Sequence, residues 1–138
     1  MQYYADKNEL ISFVYGGVTS ASFFLYATNV QGLYNSFERD VEFIEIPGRD
    51  GELAIDNKRK KAKEIKLECF IDLEEANKDL STLAAEIEDW LQGSLSYKDL
   101  KINTSHKTFK AICVNSIEIA EVIQDLAEIL ITFRVQPI

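Results

Sequence analysis

Apolar and polar residues alternate most regularly over residues 64–71. Ile65, Leu67, Cys69 and Ile71 share one parity, and Glu64, Lys66 and Glu68 the other. Period two over this length predicts a strand buried on one face, with Phe70 the only apolar residue directed outward. Residues 129–135 repeat the pattern, with Ile129, Ile131, Phe133 and Val135 inward. Phe109, Ala111 and Cys113 alternate too, but Ile112 and Val114 make that run apolar on both faces, as in a sheet centre or at a subunit contact. Shorter strands are expected at 11–15, 23–28 and 117–120.

The run 41–46 switches parity: Val41 and Phe43 share one face, Ile44 and Ile46 the other. A bulge, or a strand with partners on both faces, accounts for the switch. Pro47-Gly48 ends it, Asp50-Gly51 adds a second turn signal before a short run at 52–55, and Asp56-Asn57 suggests a further turn. Residues 47–63 therefore form a polar extended arm or hairpin.

A period of three to four takes over after residue 72. Leu73, Ala76, Leu80, Leu83, Ala84, Ile87, Trp90 and Leu91 make one stripe. Asp72 caps its start and Glu75 completes the capping box, while Gly93 suits a left-handed stop. One continuous helix over 73–92, roughly 27–30 Å long, is expected to lie on the sheet with the Trp90 indole near its edge. The fold class is mainly β with one helix: a split β-barrel or small β-sandwich flanked by the helix. Leu67, Cys69, Leu83, Ile87, Trp90, Cys113 and Phe133 are its expected core.

The chain has 138 residues and a net charge of −8, which fits one domain over 1–138 with a core that needs no metal or disulfide. The charge is unevenly placed: residues 1–46 sum to −4, 47–67 to +3, 68–100 to −7 and 101–138 to zero. A cationic block between acidic regions orients neighbouring subunits or belongs to a solvated hairpin. No apolar stretch is long enough to span a bilayer, and the charged start does not read as a secretory signal. An acidic chain has little bulk attraction for nucleic acid or anionic lipid. Two cysteines in apolar runs read as reduced core residues.

Catalytic chemistry finds little support. His106 is the only histidine and lies in a polar loop, so neither a zinc set nor a nucleophile–base pair assembles around it. Asp50, Glu52 and Asp56 lack the spacing of a calcium loop. Gly16-Gly17 has no downstream phosphate-loop residues. The cations from Lys58 to Lys66 lack the interleaved aromatics that stack bases. No cofactor, metal or enzymatic activity is expected. Tyr3, Tyr4, Tyr15, Tyr26 and Tyr34 suit a contact surface as well as a core.

One combination of residues is more specific. An arginine–acidic strand containing Arg39 and Asp40 leads into Pro47-Gly48-Arg49-Asp50-Gly51, then Leu53-Ala54-Ile55-Asp56-Asn57 and a charged alternating strand ending Cys69-Phe70-Ile71. Asp89-Trp90-Leu91, Ser96-Tyr97-Lys98-Asp99-Leu100 and a closing Ile131-Thr132-Phe133-Arg134-Val135-Gln136-Pro137 follow in order. This series resembles the N-terminal domain of the distal tail proteins of long, non-contractile-tailed bacteriophages and prophages. The chain stops where such proteins carry a second, C-terminal domain, and Lys58–Lys61 is more basic than the family pattern.

The resemblance implies a structural virion protein with a fold like that of tail-tube subunits. Six copies would form a ring at the distal end of the tail tube, joining it to tail-tip or baseplate proteins and lining a channel for DNA. Such a protein resides in the virion tail, and in the bacterial cytoplasm before assembly. Arg39, Asp40, Arg49, Asp50, Lys58 and Arg59 are the expected subunit-interface residues, although Arg39, Arg49 and Asp50 equally suit ion pairs within the arm. The alternative is a stand-alone soluble module that binds a protein through the same arm.

Overall fold

A computed structural model describes residues 11–123 and 126–137, without the side chains of 121–123. Its longest ladder joins β6 (Lys63–Asp72) to β10 (Leu126–Val135), antiparallel in unbroken register from Lys63–Val135 to Asp72–Leu126. The alternating sequence sets that register. Directly opposed residues share a face, so Ile65, Leu67, Cys69 and Ile71 meet Phe133, Ile131, Ile129 and Ala127, all buried. A one-residue slip would turn every one of them into solvent.

Around this pair the sheet runs β2 (Val18–Thr19), β1 (Phe13–Tyr15), β7 (Lys98–Ile102), β8 (Thr108–Ile112), β10, β6 and β3 (Leu25–Gln31). The eighth strand, β9 (Glu118–Ile123), pairs with the part of β10 that β8 leaves free. The run expected to be apolar on both faces is β8, a central strand in which Ile112 is buried and Val114, just beyond it, is exposed. A single bridge from Ile11 to Ala27 links the approach to β1 with β3. One bridge is not a ladder. Among the described residues the sheet is not closed, and of the two expected forms the domain is the sandwich-like one, mainly β and flanked by a helix.

The helix also departs from expectation, because it is broken. Leu73–Ala76 form one turn, α1, capped by Asp72; Asn77 then takes a left-handed conformation at φ 53°. Asp79 caps a new start by accepting from the Thr82 amide, and α2 runs Leu80–Gln92. A second cap so close to the first satisfies amides that a continuous helix would have bonded internally, and asparagine tolerates the left-handed turn between them. At the far end, Gly93 is right-handed at φ −67°. Its small size matters for another reason: a Cβ there would collide with the Asp89 carbonyl oxygen.

Leu83, Ile87 and Leu91 of α2 join the sheet's inner residues in one core. Trp90 is half-buried, stacked between Phe13 (centroids 5.5 Å apart) and Phe23 (4.8 Å), and its indole N–H donates to the Tyr15 carbonyl at 3.0 Å. Leu67, Cys69, Cys113 and Phe133 are buried in the same core. Phe70 is buried as well, on the outer face, with its ring 5.7 Å from that of Tyr26.

Candidate assembly surface

Apart from this sheet stands a two-stranded ribbon, β4 (Arg39–Glu45) and β5 (Glu52–Lys60), paired only with each other among the described residues. The arm expected at 47–63 is thus the tip and second strand of a hairpin whose first strand is the parity-switching run. Its tip turns at Ile46–Arg49, where the Arg49 amide donates to the Ile46 carbonyl at 3.2 Å. Pro47 presets the first turn angle, and Gly48 supplies the positive φ of 80° that a side chain would strain.

Asp56-Asn57 does not make a turn. The ladder jumps between Val41–Asp56 and Arg39–Lys60, so β5 holds two extra residues there, with Lys58 left-handed at φ 63°. The Asp56 carboxylate accepts the Lys58 amide at 2.8 Å, which stabilises the bulge. Bulges of this kind bend and twist a ribbon.

Cross-strand ion pairs fix the bulged segment. Arg39 bonds Asp56, and Arg59 bonds Asp40, which also accepts from Asn57 at 3.1 Å; Lys61 lies 3.9 Å from Glu38. Hydrogen bonds from Arg59 and Asn57 hold the Asp40 carboxyl below the ordinary carboxylate range. Arg39, Asp40, Lys58 and Arg59 therefore lie together, whereas Arg49 and Asp50 stand apart at the tip. Arg49, Asp50 and Lys58 have no side-chain partner among the described residues.

Where the ribbon leaves the body, Lys63 ties both of its ends. Its ammonium donates to the carbonyls of Leu33 (3.0 Å) and Asn35 (2.7 Å) and lies over the rings of Phe37 and Phe109 at 4.9 and 5.2 Å. Partial burial and the nearby Lys107 charge lower its pKa. The fixed carbonyls orient the chain entering β4, and the aromatic faces offset part of the cost of desolvating the ammonium.

The surface that sequence reading did not single out is the apolar one. Phe43 is 67% exposed, Leu53 50%, Ile44 44% and Ile55 37%. Register places Ile44, Leu53 and Ile55 on one face and Phe43 on the other. The parity switch was their signal: a strand apolar on both faces, outside any core, has both faces left to cover. Two strands alone are marginally stable in water, and their open edges invite another chain.

Burial pushes the thiols of Cys69 and Cys113 up in pKa, away from the reactive thiolate. His106 is exposed, and no group of metal-ligating side chains occurs among the described residues. No helix among them is long and apolar enough to cross a membrane. Tyr15 and Tyr26 are buried, and Tyr34 is exposed with its hydroxyl donating to the Thr104 carbonyl at 3.2 Å. Tyr3 and Tyr4 lie outside the described residues.

No family model and no curated protein matches the chain. Solved structures do. One is the crystal structure of the Dit protein of phage SPP1, described as a paradigm of the hub adsorption apparatus in phages that infect Gram-positive bacteria. It superposes with a TM-score of 0.75 at 12% identity, over 93% of this chain and 50% of that one. The chain thus spans about half the length of that protein and shares its fold over that half.

Proposed function

We propose that the chain is a structural protein of a phage or prophage tail, placed at the distal end of the tail tube. Copies assemble head to tail into a six-membered ring that connects the tube to tail-tip or baseplate proteins and surrounds a channel for DNA. The observation that carries this reading is the β4–β5 ribbon, apolar on both faces and, among the described residues, open along both edges. The fold shared with a hub protein and the ordered resemblance to distal tail proteins support it independently. A closed ring needs two different surfaces on each copy, and the ribbon supplies one of them.

Within the ribbon, Arg49 and Asp50 at the tip and Lys58 at the bulge offer charges to a neighbour, while Arg39, Asp40 and Arg59 hold the shape in which they are offered. The net charge of −8 suits a conduit through which phosphates pass without adsorbing. Before assembly the protein resides in the host cytoplasm, and afterwards in the virion tail.

Electron imaging of the particle formed by the complete gene product tests the proposal. Sixfold rings with a central hole are the expected result. A monomer at every concentration, or a closed particle lacking a hole, would overturn it.

A further inference from the structure

We infer that an acidic groove on the outer face of β6, β10 and β9 is the seat for the cationic end of a neighbouring copy's hairpin. This deepens the assembly reading, on which it rests, by naming the receiving surface.

Register defines the groove. Leu130 stands opposite Glu68 on one side and Glu118 on the other; Glu128 stands opposite Phe70 and Ala120. Opposed residues share a face, as do residues two apart on a strand, so three carboxylates gather around an apolar floor of Phe70, Leu130 and Ala120. The groove encloses about 490 Å³. Among the described residues Glu118 and Glu128 have no side-chain hydrogen-bond or ion-pair partner, and the Glu68 carboxylate accepts only from the Asn29 side-chain amide, at 3.3 Å. Like charges on neighbouring strands repel, and a sheet that keeps them around an apolar floor gains from a cationic partner that also has apolar surface. Lys66 shares the outer face with Glu68, on the side nearer the hairpin, and forms no ion pair among the described residues.

The complementary surface exists on the same chain, at the wrong end to serve its own groove. Lys58 and Lys60 are exposed and form no ion pair among the described residues, and their strand also carries the exposed Leu53 and Ile55. The hairpin leaves the body beside Lys63, which pairs with Val135 at one end of the β6–β10 ladder. Glu68 and Phe70 lie five to seven residues along, roughly 17–23 Å away. A second copy is therefore the occupant that brings cations and carboxylates together. A stable interface covers roughly 800 Å² per partner, so the groove is a socket within a larger contact that includes the ribbon's apolar faces.

A charge swap tests this. Assembly of the full chain is followed as particle mass against concentration in low salt, with circular dichroism confirming the fold of each variant. Glu118→Lys/Glu128→Lys is expected to raise the assembly midpoint at least tenfold, and Lys58→Glu/Lys60→Glu likewise. The combined variant is expected to return within threefold of the parent. If the groove reversal disturbs folding, Glu118→Gln/Glu128→Gln replaces it, with a smaller shift in the same direction. Unaltered assembly of a folded groove variant, or no rescue by the combination, overturns the inference. Should a polar substitution of Phe43, Ile44, Leu53 and Ile55 dissociate the particle while groove variants do not, only the seat is wrong. Should none of these changes matter, or the parent not assemble, the assembly reading falls with it.

Discussion

Replacing Phe43, Ile44, Leu53 and Ile55 together by threonine separates a role in assembly from a role in folding. Their exposures of 67, 44, 50 and 37% leave about two whole side chains' worth of apolar surface in water. Covering a large apolar side chain is worth about 1.5–3 kcal/mol, so an interface that buried all of this surface would lose about 3–6 kcal/mol in the variant. That weakens association by about 10²- to 10⁴-fold. The isolated chain gains little from the same side chains, because they touch no core, and threonine retains a preference for strands. Its stability to urea is expected to change by no more than about 2 kcal/mol, since each of the four exposed substitutions costs within about 0.5 kcal/mol. Sedimentation velocity measures the association and urea titration the stability. A variant that assembles as the parent does but unfolds several kcal/mol more easily would show that these residues pack within their own subunit.

Other perturbations test the body and its chemistry. Trp90→Ala empties a slot between Phe13 and Phe23 and removes the donor to the Tyr15 carbonyl, so thermal or urea unfolding should show a loss of about 3–5 kcal/mol. Asp79→Ala deletes the cap that starts α2 and should cost about 1 kcal/mol, whereas a continuous 73–92 helix would be nearly indifferent. Because the Asp40 pKa is lowered in the folded chain, the stability it contributes is present above the ordinary carboxylate value and lost as pH falls through the folded value. Protection of the ribbon amides, measured relative to their intrinsic exchange at each pH, should therefore fall below about pH 4, with the β6–β10 ladder less affected. Both thiols should resist a thiol-specific reagent at pH 8 until the chain unfolds.

The parts legible in the sequence are those fixed by burial on one face. β6 and β10 alternate because each has one dry side, and the alternation sets both their existence and their register. The helix break was hidden because Leu73, Ala76, Leu80 and Leu83 keep helical spacing straight through Asn77; only Asp79, followed three residues later by Thr82, marked the second start. Asp56-Asn57 carried a turn signal and instead became a bulge, since opposing charges at Arg39, Asp40, Asp56 and Arg59 hold the strands together across it. Sheet closure was beyond reach of periodicity, because alternation is the same in a barrel and in a curled open sheet. The assembly surface was half legible. Its turn residues and charges stood out, and the parity switch at 41–46 pointed to a bulge or to partners on both faces, but alternation alone did not show that no core lies beneath the ribbon.

The claim on which all the rest depends is that a second copy covers the β4–β5 ribbon. Hydrogen–deuterium exchange of its backbone amides, measured on the complete gene product above and below the assembly concentration, tests this most directly. Exchange should slow by at least tenfold in the assembled particle along the outward-facing edges of Arg39–Glu45 and Glu52–Lys60, with no comparable change in β7. Equal exchange in both states would contradict it and leave the ribbon a solvated hairpin.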